Sequence, residues 1–228
     1  MKIYNIIPSG LGNRLLHILE ILRSNNNNEH ITIIWNNNEH CDGFYNDFFL
    51  PINNITITQN EQFDNIIPSN KHSINHTSED YDKPEYYNIF HNIKINIDLE
   101  NIVDNYVKNI GKFISIHIRR GDFKRLTQSL KNKGWATDDL SEDKYFDFIN
   151  NFPEHNIFLA TDCPKIRKLF ITKYGNRLKY HSSLFAGLRR TTIKDSIIDM
   201  YICSKTPYFL GTRLSTYSVF IELLIKHN

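Results

Sequence analysis

Apolar and polar positions along this chain fall into two alternating periods. Residues 2–7, "KIYNII", read as a strand, and the turn "PSGLG" then gives way to Leu15, Leu16, Leu19 and Leu22 at helical spacing. "ITIIW" (31–35) is a second β-branched run. From 36 to 97 the pattern breaks into short alternating pieces such as "NITIT" among Asn, Asp and Pro. "DLENIVDNYVKN" (98–109) predicts a helix opened by Asp98 and stopped before Gly111. The second half is more regular. Strand "KFISIHI" (112–118) precedes a polar loop, and "SEDKYFDFINN" (141–151) predicts a helix with Ser141 as its N-cap. Strand "NIFLAT" (156–161) runs into a helix at 164–174, where Pro164 suits the first turn. A short strand near 178–180, a helix at 193–204, strand "PYFLG" (207–211) and a last helix from Ser215 complete the chain.

Strands alternating with helices predict right-handed βαβ units and parallel sheets, an α/β fold. The pattern divides best near 109–111, into halves of residues 1–110 and 111–228, and no internal repeat is visible.

Composition narrows the function classes. Apolar content of 40% and charged content of 23% are ordinary for a globular protein, and a net charge of +2 speaks against a nucleic-acid binder. The pairs Arg119–Arg120 and Arg189–Arg190 are therefore local features to explain. Asparagine makes up roughly one residue in eight, against a background dominated by Leu, Ala and Gly, and runs such as "WNNNEH" read as solvated turns. Cys41, Cys163 and Cys203 are dispersed and odd in number, with no zinc spacing or disulfide framework. With a short apolar run at the N-terminus and no stretch of ~18–20 apolar residues, the expected setting is cytoplasmic, without a transmembrane segment.

In parallel sheets ligands sit beyond the carboxyl ends of the strands. The ends here deliver His117, Arg119, Arg120 and Asp122; then Thr161 and Asp162; then Thr212, Ser215 and Thr216 in "GTRLSTYS". An arginine fork and the free N–H groups of a helix start make an anion clamp. Because adjacent strand residues point to opposite faces, one of the two arginines is expected in the scaffold. The turn "SGLGNRL" adds Gly10, Gly12, Asn13 and Arg14 at another strand-to-helix junction. No GxxxxGK[ST] loop is present, which excludes the usual P-loop nucleotidase.

"IHIRRGD" (116–122) resembles the His-x-Arg-Arg-(Gly/Thr)-Asp signature of the GDP-fucose-dependent fucosyltransferases, the superfamily of α1,2-, α1,6- and protein O-fucosyltransferases. "GLGNRL", "LATD", "SSLFAGLRR" and "DSIIDMYICSKTPYFLGTRLSTYS" are similar to its other landmarks, in the same order. The likeness covers the C-terminal half and the first two dozen residues. It implies a GT-B-like architecture of two Rossmann-like halves, the first reduced and facing the acceptor, the second holding the GDP-sugar. It further implies an inverting, metal-independent transfer of fucose from GDP-fucose to a hydroxyl, on a glycan or protein acceptor, with no cofactor beyond the donor. In that reading Arg119 stabilises the leaving diphosphate, Asn13 sits near the reacting carbon, and His117 and Asp162 line or shape the nucleotide pocket. Asp199 reads guanine, while Ser215 and Thr216 hold the β-phosphate. Gly10, Gly12, Arg14, Arg120 and Thr212 complete the donor-binding set. No residue matches a catalytic base clearly; Asp122, Asp138 and Asp139 are the candidates. Two alternatives stand beside this reading: a catalytically silent GDP-sugar-binding module, and a metal-dependent GT-A transferase using Asp80 and Asp82 in "EDYD".

Overall fold

The computed structural model describes residues 2–6, 8–25, 29–59, 66–68, 77–81, 83–121, 128, 141–183 and 191–227. Among the described residues, eight short strands form two four-stranded sheets. The first sheet contains β1 (Lys2–Asn5), β2 (Ile31–Ile34), β3 (Ile55–Thr58) and β4 (Ile67–Pro68), in the order β3-β2-β1-β4. The second contains β5 (Phe113–Ile118), β6 (Asn156–Thr161), β7 (Leu178–Lys179) and β8 (Phe209–Leu210), in the order β7-β6-β5-β8. Every pairing is parallel, from Lys2 opposite Ile31 to Ile118 opposite Thr161. Both sheets thus repeat one half of a doubly wound fold. In each, the order reverses beside the first strand, where such sheets open a crevice at their carboxyl ends.

Seven α-helices connect and cover these strands among the described residues: α1 (Leu11–Ser24), α2 (Pro84–Phe90), α3 (Ile97–Ile110), α4 (Asp143–Asn150), α5 (Pro164–Tyr174), α6 (Ile193–Ser204) and α7 (Thr216–His227). Local chemistry sets their ends. The Asn96 side chain accepts from the Leu99 amide at 3.0 Å to start α3, and Gly111 closes it at φ +70°, a conformation open to glycine at little cost. Helix α4 starts two residues later than the sequence suggests. Ser141 Oγ accepts from the Asp143 amide at 3.0 Å, so the serine still orders the turn, but Glu142 occupies the cap.

All six β5 residues are buried, as in a parallel sheet covered on both faces. Ile114, Ile116 and Ile118 pack with Tyr145, Ile149, Ile166 and Phe170 in a core under α4 and α5. On the other side, Phe113, Phe158 and Ala160 join a larger core that runs through α6, α7 and α1 to β2. The last helix therefore packs against the first: a Cβ added to Gly12 would lie 2.5 Å from the Tyr217 backbone nitrogen. That contact brings the start of α1 to the start of α7.

At the start of the stretch 36–97, where the sequence pattern breaks up, aromatic packing orders the described residues 35–49. Trp35 meets the Tyr45 ring edge-on, Tyr45 stacks on Phe49, and Trp35 Nε1 donates to the Gly43 carbonyl at 2.9 Å.

Candidate functional site

A cleft of about 1030 Å³ opens beyond the carboxyl ends of β1, β2, β5 and β6, with the amino ends of α1, α6 and α7 on its walls. Three helix N-termini at one space offer an anion free N–H groups and the positive ends of three dipoles. Gly10, Gly12 and Asn13 line it from the β1–α1 turn, and His117 and Arg119 from the end of β5. Asp162 follows β6, Asp199 comes from α6, and Thr216 from the first turn of α7. With Thr161 at the end of β6, nine of the candidate-site residues read from the sequence thus share one cavity, although they are spread from position 10 to position 216.

The end of β5 is fixed by a hydroxyl network. Thr212 Oγ1 donates to the His117 carbonyl at 2.9 Å and accepts from the Arg119 amide at 2.9 Å. Tyr145 Oη meets the same Oγ1 at 3.0 Å. Ser218 Oγ lies 2.7 Å from His117 Nδ1 and accepts from the Thr212 amide at 3.0 Å. Thr212 is itself 2% exposed and contributes by holding the strand end rather than by lining the cleft. His117 packs on the Tyr217 ring, 4.5 Å between centroids. Burial, reinforced by the neighbouring Arg119 charge, lowers its pKa to about 3. It is a neutral ring at working pH.

The two arginines, both just past the end of β5, take separate places. Arg119 lines the cleft. Arg120 does not: its Nη2 pairs with Glu142 at 3.1 Å and its Nη1 donates to the Arg119 carbonyl at 3.1 Å. Asp162 both lines the cleft and braces this turn. Its Oδ1 accepts from the Arg120 amide at 2.8 Å and its Oδ2 from the Gly121 amide at 3.0 Å.

Two other expected donor contacts lie behind the cleft wall. Arg14 is fully buried, with Nε donating to the Ser9 carbonyl at 2.8 Å and the guanidinium 4.8 Å from the Trp35 ring centroid. Helical phase explains this: Asn13 faces outward, so its neighbour turns inward to the core. Ser215 is also fully buried, and its backbone accepts from the Val219 amide at 3.0 Å to begin α7. Leu214, in a left-handed turn at φ 61°, leaves Thr216 as the hydroxyl on the cleft surface.

Asp199 is 3% exposed, and Oδ1 has no hydrogen-bond partner among the described residues. Burial raises its pKa to about 7, against the lowering influence of Ser182 and Arg167. Asp122, Asp138 and Asp139 lie outside the described residues, as do Asp82 and the Arg189–Arg190 pair. Asp80 accepts from the Thr77 amide at 2.8 Å, an end-capping role, and is not among the cleft residues. Among the described residues no group of three or more His, Cys, Asp or Glu side chains is arranged to hold a metal ion.

The cleft also contains residues that the sequence reading missed. Asn37, Asn38, Glu39, His40, Cys41 and Asp42 form its wall beyond β2. The Asn38 side chain orders this loop by accepting from the His40 and Cys41 amides at 2.8 and 2.9 Å. The "WNNNEH" run is therefore a cleft wall and not only a solvated turn. The strand-end rule, applied to β2 as it was to β5, points to it.

Comparison with known proteins agrees with this geometry. Residues 19–225 match the family model described as GDP-fucose protein O-fucosyltransferase. Among curated relatives, GDP-fucose protein O-fucosyltransferase 2 of Drosophila melanogaster is 27% identical over 116 residues, 47% of this chain. That of Plasmodium berghei (strain Anka) is 29% identical over 133 residues, 52% of this chain. The matches span only 22% and 25% of those relatives' lengths. Among solved structures, fucosyltransferase NodZ from Bradyrhizobium aligns with a TM-score of 0.57 at 14% identity, covering 98% of this chain and 93% of that one. POFUT1 in complex with GDP-fucose aligns at 0.63 and 10% identity, covering 99% and 94%. At such identities the likeness is one of fold, and the fold is GT-B-like with two parallel sheets.

The cytoplasmic expectation is corrected by the relatives, since the protein O-fucosyltransferase 2 enzymes act in the lumen of the endoplasmic reticulum. Three dispersed cysteines outside any disulfide do not specify a compartment, and targeting is read by receptors rather than by the fold. No helix among the described residues is long and apolar enough to cross a membrane. With a family match over residues 19–225 and a cleft that gathers the motif residues, the chain belongs to the GDP-fucose protein O-fucosyltransferase family.

Proposed function

We propose that this chain is an inverting, metal-independent fucosyltransferase that moves fucose from GDP-fucose to a hydroxyl of a glycan or protein acceptor. Residues 111–228 hold the donor, and residues 1–110 supply the facing wall. The observation that carries the reading is the meeting of Arg119, Thr216 and Asp199 in one cleft at the carboxyl ends of the sheets. The Arg119 guanidinium and the α7 N-terminus bind the β-phosphate. Asp199 accepts from the N1–H and N2–H groups of guanine.

In the transfer step the acceptor oxygen forms a bond to the anomeric carbon as the bond from that carbon to the phosphate oxygen breaks. The electron pair leaves with GDP, where Arg119 neutralises the growing charge. The acceptor proton passes to the departing diphosphate or to a carboxylate; Asp122 is the sequence candidate. Neutral His117 packs beside the nucleotide without adding charge, and Asn13 orients the reacting sugar.

Calorimetric titration in EDTA tests the donor assignment. GDP is expected to bind the native chain, UDP and CDP far more weakly, and GDP to bind Arg119→Ala more weakly than native. Equal binding of GDP and UDP contradicts the role of Asp199. A requirement for divalent metal contradicts metal independence.

A further inference from the structure

The donor reading uses the first turn of α7 only through Thr216. Successive helical residues point about 100° apart, so the three opening side chains of α7 reach three different walls. Thr216 lines the cleft. Ser218 turns to β5, with Oγ 2.7 Å from His117 Nδ1. Tyr217, between them, turns to α6, where its Oη donates to the Ser196 carbonyl at 2.5 Å. Its half-buried ring lines the cleft and packs on His117, 4.5 Å between centroids. The close approach of Gly12 leaves the Tyr217 backbone little room to move.

Ser196 stands in the first turn of α6, where its own hydroxyl donates to the Thr192 carbonyl at 2.9 Å and meets Thr191 Oγ1 at 2.8 Å. Asp199 follows three residues later, at the spacing that shares a helix face, and both Ser196 and Asp199 line the cleft. The phenol therefore grips the face of α6 that carries the carboxylate. It does so from the turn of α7 that carries the cleft hydroxyl. Within α6 the Ser196 carbonyl also faces the amide four residues on, so the tyrosine bond is an addition that the helix does not need in order to form.

We propose that the Tyr217 hydroxyl is a positioning group that sets the base-reading face of α6 against the phosphate-holding start of α7, and so sharpens the preference for guanine over hypoxanthine. The proposal rests on the readings of Asp199 and Thr216 given above. A nucleotide anchored at its diphosphate presents both N1–H and N2–H to Asp199 only while the two helix starts keep their spacing. Hydrogen bonds weaken steeply with distance and angle, so slack between α6 and α7 is felt at the base edge. GDP has two such bonds to lose there. Inosine 5′-diphosphate, which lacks the N2 amino group, has one.

The test is calorimetric binding of both nucleotides by the whole chain. The native chain binds GDP about 10- to 100-fold more tightly than inosine 5′-diphosphate, the difference made by one hydrogen bond to a charged group. Tyr217→Phe keeps the ring, removes only the hydroxyl, and lowers that ratio about threefold or more, chiefly by weakening GDP. Ser218→Ala loosens the same turn against β5 and weakens both nucleotides by one factor, so its ratio stays native. If Tyr217→Phe also weakens both by one factor, the hydroxyl is only structural and the proposal is overturned. A ratio lowered as far in Ser218→Ala overturns it as well, since any slack in α7 then suffices. The native chain separates the two levels. Equal native affinity for the two nucleotides means that the guanine reading fails and takes the proposal with it. A native preference for GDP that persists at full size in Tyr217→Phe sinks the proposal alone.

Discussion

Asp199 and His117 are both buried at the cleft, and burial shifts each toward its neutral form. The consequences for stability have opposite sign. Asp199 rises from 3.8 to about 7, so within that window the folded chain keeps a proton that the unfolded chain has released. Its contribution is full below 3.8 and is lost as pH rises through 7. His117 falls from 6.5 to about 3, so its contribution is present above 6.5 and is lost as pH falls. Thermal unfolding of the apo native and Asp199→Asn chains at pH 5 and pH 8 isolates the first effect, because the His117 contribution, which also changes between these values, is common to both chains. The Tm of Asp199→Asn relative to native is expected to rise between the two pH values. A constant difference means that the carboxylate is not buried as described. At this scale the sequence was partly legible. That Arg119 and Arg120 would part company was legible, although both stand just past the end of β5. It could not tell that Arg14 and Ser215 would turn inward, because the phase of a helix start depends on the packing of α1 against α7 and on the left-handed turn at Leu214.

At the scale of elements, the approach of α1 to α7 positions both the glycine turn and Thr216. Gly12→Ala drives a methyl group toward the Tyr217 backbone, which cannot swing aside as a side chain can. Overpacking of this kind costs roughly 1–3 kcal/mol. Urea unfolding should register that loss, and GDP affinity should fall with it, since the helix carrying Thr216 must shift. Asn96→Ala provides a contrast. Removing the α3 cap should cost about 1 kcal/mol while GDP affinity stays at the native value. Long periodic helices and β5 were readable because one repeating pattern covers each of them. The 36–97 stretch was not, because helix α2 is seven residues long and the segment's order comes from contacts between distant aromatic residues, such as the Phe90 ring 5.4 Å from Phe220. No local period records such contacts.

For the whole molecule, two sheets of the same strand order turn their carboxyl ends to a common cleft, and a core shared through α1, α6 and α7 joins them. The architecture itself was legible, since alternating strands and helices leave few other arrangements. The wall beyond β2 was not, because an asparagine-rich run has the composition of any solvated turn. Donor turnover is the most direct test of the central claim that Arg119 stabilises the departing diphosphate. GDP release from GDP-fucose should be measured in EDTA for the native chain and for Arg119→Ala, with and without acceptor. The account predicts native turnover without metal and a fall in kcat of about 100- to 1000-fold in the variant, the loss expected when one charge-stabilising donor is removed. Native turnover that requires a divalent cation, or a variant that turns over at the native rate, contradicts it.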